Sequence, residues 1–243
     1  MPASPKRSRF VTATAPVSPS GATLTGAAFP RHSCRAPRHK SAGERTLEIP
    51  PDVYYKGTAL CICPIVNYCS HCGEKVVFRV PEGDNLPRHL CEACGAIHYL
   101  NPRLVIGTLP EWEDRILLCR RAIEPRRGFW TLPAGFMELG ETAEQAAIRE
   151  TLEEANARVE LSGLFTMLSV PHVDQVHLFY RARLLDLDFS AGAESLEVAL
   201  FKEAEIPWKD ISFRTVSTTL QHFLADRSAG QFRFRSGELT LPR

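Results

Sequence analysis

From Leu104 onward apolar residues gather in short runs broken by polar turns, a pattern that predicts a compact α/β domain. RLVIGTL (103–109) and RILLCRR (115–121) read as strands on either side of a turn around Glu111 to Asp114, and VHLFYRARL (176–184) supplies another. GFWTLPAG leads into a strongly helical stretch, and from Phe213 to Asp226 the apolar residues Phe213, Val216, Leu220 and Phe223 recur at helical spacing. A central mixed sheet flanked by helices is expected, with no internal repeat.

The first helix starts at a capping box, Thr142 with Gln145 three residues on, and its body is Ala, Glu, Gln, Arg and Leu, all good helix formers. At about 100° per residue, Glu150, Glu153 and Glu154 share a side with Ala143, Ala146 and Ala147, while Ile148, Leu152 and Ala155 lie roughly opposite as the expected core face. Like charges at this spacing repel, and crowded carboxylates resist ionising together. Such a set calls for a cation, and oxygen-only donors favour Mg2+ or Mn2+ over zinc. Gly135, just before the helix, permits close backbone approach by metal or phosphate. Arg149 can pair with Glu141 and brace Glu153. On these residues alone a solvated acidic face is the competing reading.

The whole string from Gly135 to Ala157, GFMELGETAEQAAIRETLEEANA, resembles the Nudix box, G-x5-E-x7-R-E-U-x-E-E-x-G-U, with U a bulky apolar residue. Gly135, Glu141, Arg149, Glu150, Glu153 and Glu154 are in register. Thr151, Asn156 and Ala157 depart from it at two apolar positions and the second glycine, and Asn tolerates the left-handed backbone of a helix end. The resemblance implies a Nudix α/β/α sandwich that hydrolyses a nucleoside diphosphate linked to another moiety, with water attacking one phosphorus. It further implies Glu150, Glu153 and Glu154 as Mg2+ or Mn2+ ligands, Glu150 also as a base, the Gly135 carbonyl as a further ligand, and Glu141 with Arg149 orienting the set. A glutamate on a later loop assists in many members, which points to Glu197 in GAESLEVALF.

A second motif precedes the domain: Cys69-x2-Cys72, 18 residues, then Cys91-x2-Cys94. Two such turns complete a closed tetrahedral thiolate site for a structural Zn2+, and Gly73 and Gly95 give each turn its backbone freedom. Cys34, Cys61, Cys63 and Cys119 are left over, Cys119 in an apolar strand-like run. His71, His89 and His98 are near, but four cysteines already satisfy the ion.

Charge changes the picture only at the N-terminus. Lys and Arg total 29 against 28 Asp and Glu, yet residues 1–43 hold seven basic residues and no acid, leaving 22 basic against 28 acidic in the rest. Rich in Ser, Thr, Ala, Pro and Arg, residues 1–55 are expected to be a disordered, transit-peptide-like leader, followed by the ribbon (66–100) and the catalytic domain (101–235). Pro2, Pro5, Pro16 and Pro19 oppose the amphipathic helix of mitochondrial import, so a plastid destination is expected, with mitochondrial or cytosolic residence the alternatives and cleavage between about 40 and 60. No apolar run approaches the ~18 residues of a membrane span. The acidic body argues against nucleic-acid affinity, and so against the ribbon serving RNA-end binding. A homodimer is compatible with these features and not required by them.

Ribbon-bearing Nudix proteins include NADH pyrophosphatases, which carry SQPWPFPxS after the box; here VELSGLFTMLSVPHVDQ stands in that region. Over about residues 68–230 the chain instead looks like the plant chloroplast FAD pyrophosphohydrolases and related bacterial proteins, in YCSHCG, LCEACG, NPRLVIG, LLCRRAIEPRRGFWTLPAGFMELGET and ESLEVALFKEAEIPW. That likeness implies a small dinucleotide substrate, FAD, giving FMN and AMP. ADP-ribose is the main competitor, because Pro171 stands where members that hydrolyse it tend to carry a proline. Phe129, Trp130 and Phe136 are candidate stacking residues and Arg126 and Arg127 candidate phosphate contacts.

Overall fold

The computed structural model describes residues 66–240. The expected leader, 1–55, and Cys34, Cys61 and Cys63 lie outside the described residues. A three-stranded antiparallel sheet comes first, β1 (Val76–Arg79), β2 (Arg88–Cys91) and β3 (Ile97–His98). The larger domain then runs β4 (Arg103–Trp112), β5 (Arg115–Arg121), β6 (Trp130–Thr131), β7 (Ala134–Phe136), α1 (Ala143–Ala155), β8 (Val159–Val170), β9 (Gln175–Leu184), β10 (Ser195–Lys202), α2 (Arg214–Ala229) and β11 (Arg235–Glu238). Its sheet has the order β10-β5-β4-β9-β8-β11, with β6 on β5 and β7 on β4. The β4–β9 and β8–β11 pairs are parallel and the others antiparallel, so the sheet is mixed.

Strand alternation sends side chains to both faces of this sheet. On one face Leu109, Ile116, Leu118, Phe165 and Phe179 meet Val216, Leu220 and Phe223 of α2, so the helical repeat read from Phe213 is the buried stripe of that helix. On the other, Leu117 and Cys119 of β5 and Ala182 and Leu184 of β9 meet Ala155 of α1, while Ile106 and Tyr180 meet Ala146 and Ala147. The layers are α/β/α, as the sequence predicts.

The faces of α1 are a correction. Ile148 and Leu152, expected in the core, are 42% and 48% exposed, whereas Ala146, Ala147, Thr151 and Ala155 are fully buried. The small side chains let α1 lie close on β4 and β9, and this brings the neighbouring Glu150 and Glu154 under cover with them, at 8% and 7% exposed. Thr151, a departure from the apolar pattern, is accommodated because its hydroxyl lies 2.6 Å from that of Thr108 on β4 and donates to the Ala147 carbonyl at 2.7 Å. Asn156 ends the helix in the left-handed conformation, φ 48° and ψ 26°. Among the described residues no helix is long and apolar enough to cross a membrane.

Candidate active site

The β7–α1 connection builds one wall of a cleft of about 1050 Å³. The capping box forms as the sequence indicates: the Gln145 amide donates to Thr142 Oγ1 at 3.2 Å and the Thr142 amide to Gln145 Oε1 at 2.8 Å. Thus anchored, α1 directs Arg149, Glu150, Glu153 and Glu154 at the cleft. Arg149 organises them. Its Nε and Nη2 donate to the two oxygens of Glu141 at 3.0 and 2.7 Å, a bidentate pair. Its Nη1 donates to Glu150 at 2.7 Å and to Glu153 at 3.0 Å, and Nη2 also to the Phe136 carbonyl at 3.1 Å. These bonds from Arg149, with that from the Glu138 amide, hold the Glu141 carboxyl down at about 2.

The other carboxylates are pushed the opposite way. Burial raises Glu154 to about 8, opposed by the Ala134 amide, which donates to it at 3.2 Å, and reinforced by Glu150 and Glu194. Burial also raises Glu150, against the pull of Arg149. Two buried acids this close hold their charge poorly until a cation shares them. Gly135 supports the same reading: a Cβ there would fall 2.3 Å from Glu150 Oε2, so only glycine leaves the carboxylate its place against β7. The donors Glu150, Glu153 and Glu154 are hard oxygens and fit Mg2+ or Mn2+.

Glu197 is not brought to this cleft. It sits on β10 with its carboxylate 3.6 Å from Arg120, outside the lining, because the chain turns into the strand before reaching it. Glu194 lines the cleft instead. Its loop is fixed to the end of α1: the amides of Ser190 and Gly192 donate to the carbonyls of Ala155 and Glu154 at 2.9 and 3.0 Å, and Asn156 Nδ2 donates to Ser190 Oγ at 3.1 Å and to the carbonyls of Ser190 and Ala191 at 3.3 Å. Gly192 is required there, since a Cβ would meet the Glu153 carbonyl oxygen at 1.7 Å. No local pattern in the sequence separates Glu194 from Glu197; the packing of this loop on the end of α1 does.

Of the aromatic candidates, Trp130 packs edge-on against Phe201 at 4.8 Å in the core, and Phe129 lies 5.3 Å from the Arg126 guanidinium without lining the cleft. Phe136 does line it, half-exposed, with the Arg103 guanidinium 4.9 Å from its ring. Arg126 lines it and Arg127 does not. Residues 171–173 form a single helical turn, Pro171–Val173, beside it. His177, which no motif singles out, lines the cleft with Nε2 2.9 Å from Gln175 Oε1 and is held neutral at pH 7 by burial, its pKa lowered to about 4.

In the ribbon the four sulfurs of Cys69, Cys72, Cys91 and Cys94 lie within 4.8 Å of one another. Cys69 is 3.6 Å from Cys94 and Cys72 is 3.4 Å from Cys91, close to the edge of about 3.8 Å that Zn–S bonds of about 2.3 Å give a tetrahedron. Gly73 (φ +80°) and Gly95 (φ +73°) close the two turns, their amides donating to the Cys69 and Cys91 carbonyls at 2.9 and 2.8 Å. The set fits zinc. Cys119 is buried in β5, where desolvation pushes its thiol far up and leaves it inert.

Residues 67–100 match the Nudix N-terminal zinc ribbon and residues 102–217 the NUDIX domain. A crystal structure of a NUDIX hydrolase from Nitrosomonas europaea is 55% identical, covers 71% of this chain and 98% of its own, and superposes with a TM-score of 0.69. An ADP-ribose pyrophosphatase of Methanocaldococcus jannaschii is 32% identical over 45% of this chain and 67% of its own length. An NAD-capped RNA hydrolase of Photorhabdus laumondii is 35% identical over 38% of this chain and 34% of its own. The chain thus spans two thirds of the archaeal relative and about a third of the bacterial one. With the box carboxylates gathered on one helix and the ribbon cysteines on one centre, the chain belongs to the Nudix hydrolase family.

Proposed function

We propose that the protein hydrolyses the pyrophosphate bond of an ADP-linked dinucleotide, FAD first, releasing AMP and FMN. The observation that carries the reaction class is the buried carboxylate cluster of Glu150 and Glu154 with Glu153 beside it, opening on a cleft large enough for a dinucleotide. Glu150, Glu153 and Glu154 would hold one or more divalent cations, with the Gly135 carbonyl as a further donor. A bound cation supplies charge neutralisation at the phosphoryl oxygens and favours deprotonation of water. Arg149 keeps the carboxylates in place through its bonds to Glu141, Glu150 and Glu153. Glu194 or Glu150 takes the proton of the attacking water as its oxygen bonds to phosphorus and the bridging oxygen leaves with the other product.

Phe136, under Arg103, offers a face on which adenine or the flavin ring stacks. FAD as substrate rests on the likeness of the ribbon and box segments to the FAD pyrophosphohydrolases and on the missing NADH signature. ADP-ribose is the second reading, favoured by the archaeal relative and by Pro171 beside the cleft. Plastid residence belongs to the same proposal and rests on the acid-free composition of residues 1–43. Product masses after incubation of the full chain with FAD and Mg2+ or Mn2+ test the reaction. FMN and AMP are expected; unchanged FAD beside hydrolysed ADP-ribose would favour the second reading.

A further inference from the structure

The first turns of the two helices differ in a way the carboxylate cluster does not use. That of α1 is closed by its capping box and carries Glu144. That of α2 has no side-chain cap, since the residue at the cap is Phe213, and it contains no acid. Its amides and the positive end of its dipole are therefore left uncompensated. The residues around it line the same cleft: Ser212, Phe213, Arg214 and Thr215, together with Arg121 at the end of β5 and Arg126 from the β5–β6 connection.

A second observation is independent of the helix end. Ser212 and Thr215 are only 5% and 4% exposed, and neither hydroxyl has a hydrogen-bond partner. Unpaired buried hydroxyls are costly and rare in well-packed proteins. Here two of them flank the same uncapped turn, where a ligand oxygen would satisfy them. Arg121 adds positive charge, with its guanidinium 5.2 Å from the Phe213 ring. Donors and positive charge of this kind, with no acid in the turn, select an oxyanion.

We propose that the first turn of α2, with Ser212, Thr215, Arg121 and Arg126, is a phosphate subsite distinct from the carboxylate cluster and independent of a metal ion. It deepens the reading of the cleft as a dinucleotide site and rests on that reading for the phosphate's origin. The phosphate comes either from the pyrophosphate itself or from a further phosphate monoester on the ribose. The division gives the cleft two poles, carboxylates for cations and the α2 turn for anions.

The test is calorimetric titration of the full chain with inorganic phosphate in buffer freed of divalent cations by a resin, which needs neither turnover nor an added ion and so is separable from the fate of the FAD reading. Saturable binding is expected in the wild type and in Glu154→Gln. Affinity should fall at least about tenfold in Ser212→Ala/Thr215→Val, and Thr215→Ser should retain it. Arg126 is exposed, so Arg126→Met weakens binding without touching the core. A thermal melt shows whether the double variant folds. Kinetics with ADP-ribose and its 2′-phosphorylated form, with Mg2+, separate the two sources. A KM lower for the phosphorylated form in the wild type alone assigns the ribose phosphate, and a KM raised equally for both in the double variant assigns the pyrophosphate. No saturable phosphate binding by the wild type, or equal affinity in Arg126→Met and a folded double variant, would overturn the subsite.

Discussion

Gly135 lies directly beneath the Glu150 carboxylate, so close that a Cβ at this position would meet both of its oxygens at 2.3–2.4 Å. The backbone at Gly135 does not adopt the left-handed conformation, so Gly135→Ala strains no turn and acts only by displacing the carboxylate. A misplacement of this size at a reacting centre costs about a hundredfold in rate. We expect kcat/KM to fall by about that factor while the circular dichroism spectrum is unchanged. A fully active alanine variant would show that Glu150 does not need this position.

Glu154 sets a pH dependence of the metal-free protein. Its pKa is raised to about 8 by burial, above the ~4.3 of an exposed glutamate in the unfolded chain. Between those values the folded state holds a proton that the unfolded state releases, so stability falls as pH rises through this window and levels off above it. The loss is of the order of 3–5 kcal/mol. Glu141 and Asp226, both held near 2 by arginines, act with the opposite sign at lower pH, and His177, which burial lowers to about 4, does so up to the ~6.5 of a free histidine. Denaturant melts without added divalent cation between about pH 6.5 and 9 should show a steeper decline in the wild type than in Glu154→Gln, where only the raised Glu150 still contributes with this sign, and the variant should be the more stable protein at pH 8. A wild-type stability that rises over this range would contradict the assignment.

Asn156 ties the end of α1 to the loop that carries Glu194. Asn156→Gly keeps the left-handed turn, which glycine adopts readily, but removes the bonds to Ser190 and Ala191. If Glu194 assists the chemistry, kcat drops by about tenfold with little change in KM, as expected for a contact that matters mainly in the transition state. Glu194→Gln should lower kcat further, and Glu197→Gln should leave it unchanged because Glu197 stands outside the cleft.

The ribbon should carry roughly one zinc ion per chain by elemental analysis. Cys91 is the most deeply buried of the four ligands. Cys91→Ser should lose the zinc and lower the melting temperature, and a chelator strong enough to strip the metal should do the same to the wild type. Full zinc occupancy in the serine variant would contradict the four-thiolate centre.

The sequence was most legible where chemistry and spacing coincide. The two Cys-x2-Cys turns, the capping box of Thr142 and Gln145 and the stripe of α2 could each be read locally, and each forms. Ile148 and Leu152 mislead because apolarity does not mark the buried face of this helix. In α1 closeness of approach decides instead, and alanine and Thr151 provide it while the larger residues stay outside. Glu194 was out of reach for another reason: which of two nearby acids enters the cleft depends on how the loop packs on the end of α1, a contact between residues 34 to 38 positions apart. His177 and the α2 turn likewise become a site only when β9 and α2 meet the cleft across the sheet.

The central claim is that the cluster on α1 cleaves a dinucleotide pyrophosphate, with FAD preferred. Steady-state kinetics of the full chain with FAD, ADP-ribose and NADH, each with Mg2+, and with Glu154→Gln as control, test it most directly. The account predicts the highest kcat/KM for FAD, with FMN and AMP as products and turnover abolished in the glutamine variant. An ADP-ribose kcat/KM about tenfold above that of FAD, some 1.4 kcal/mol in transition-state binding, would contradict the substrate, and undiminished turnover by Glu154→Gln would contradict the site.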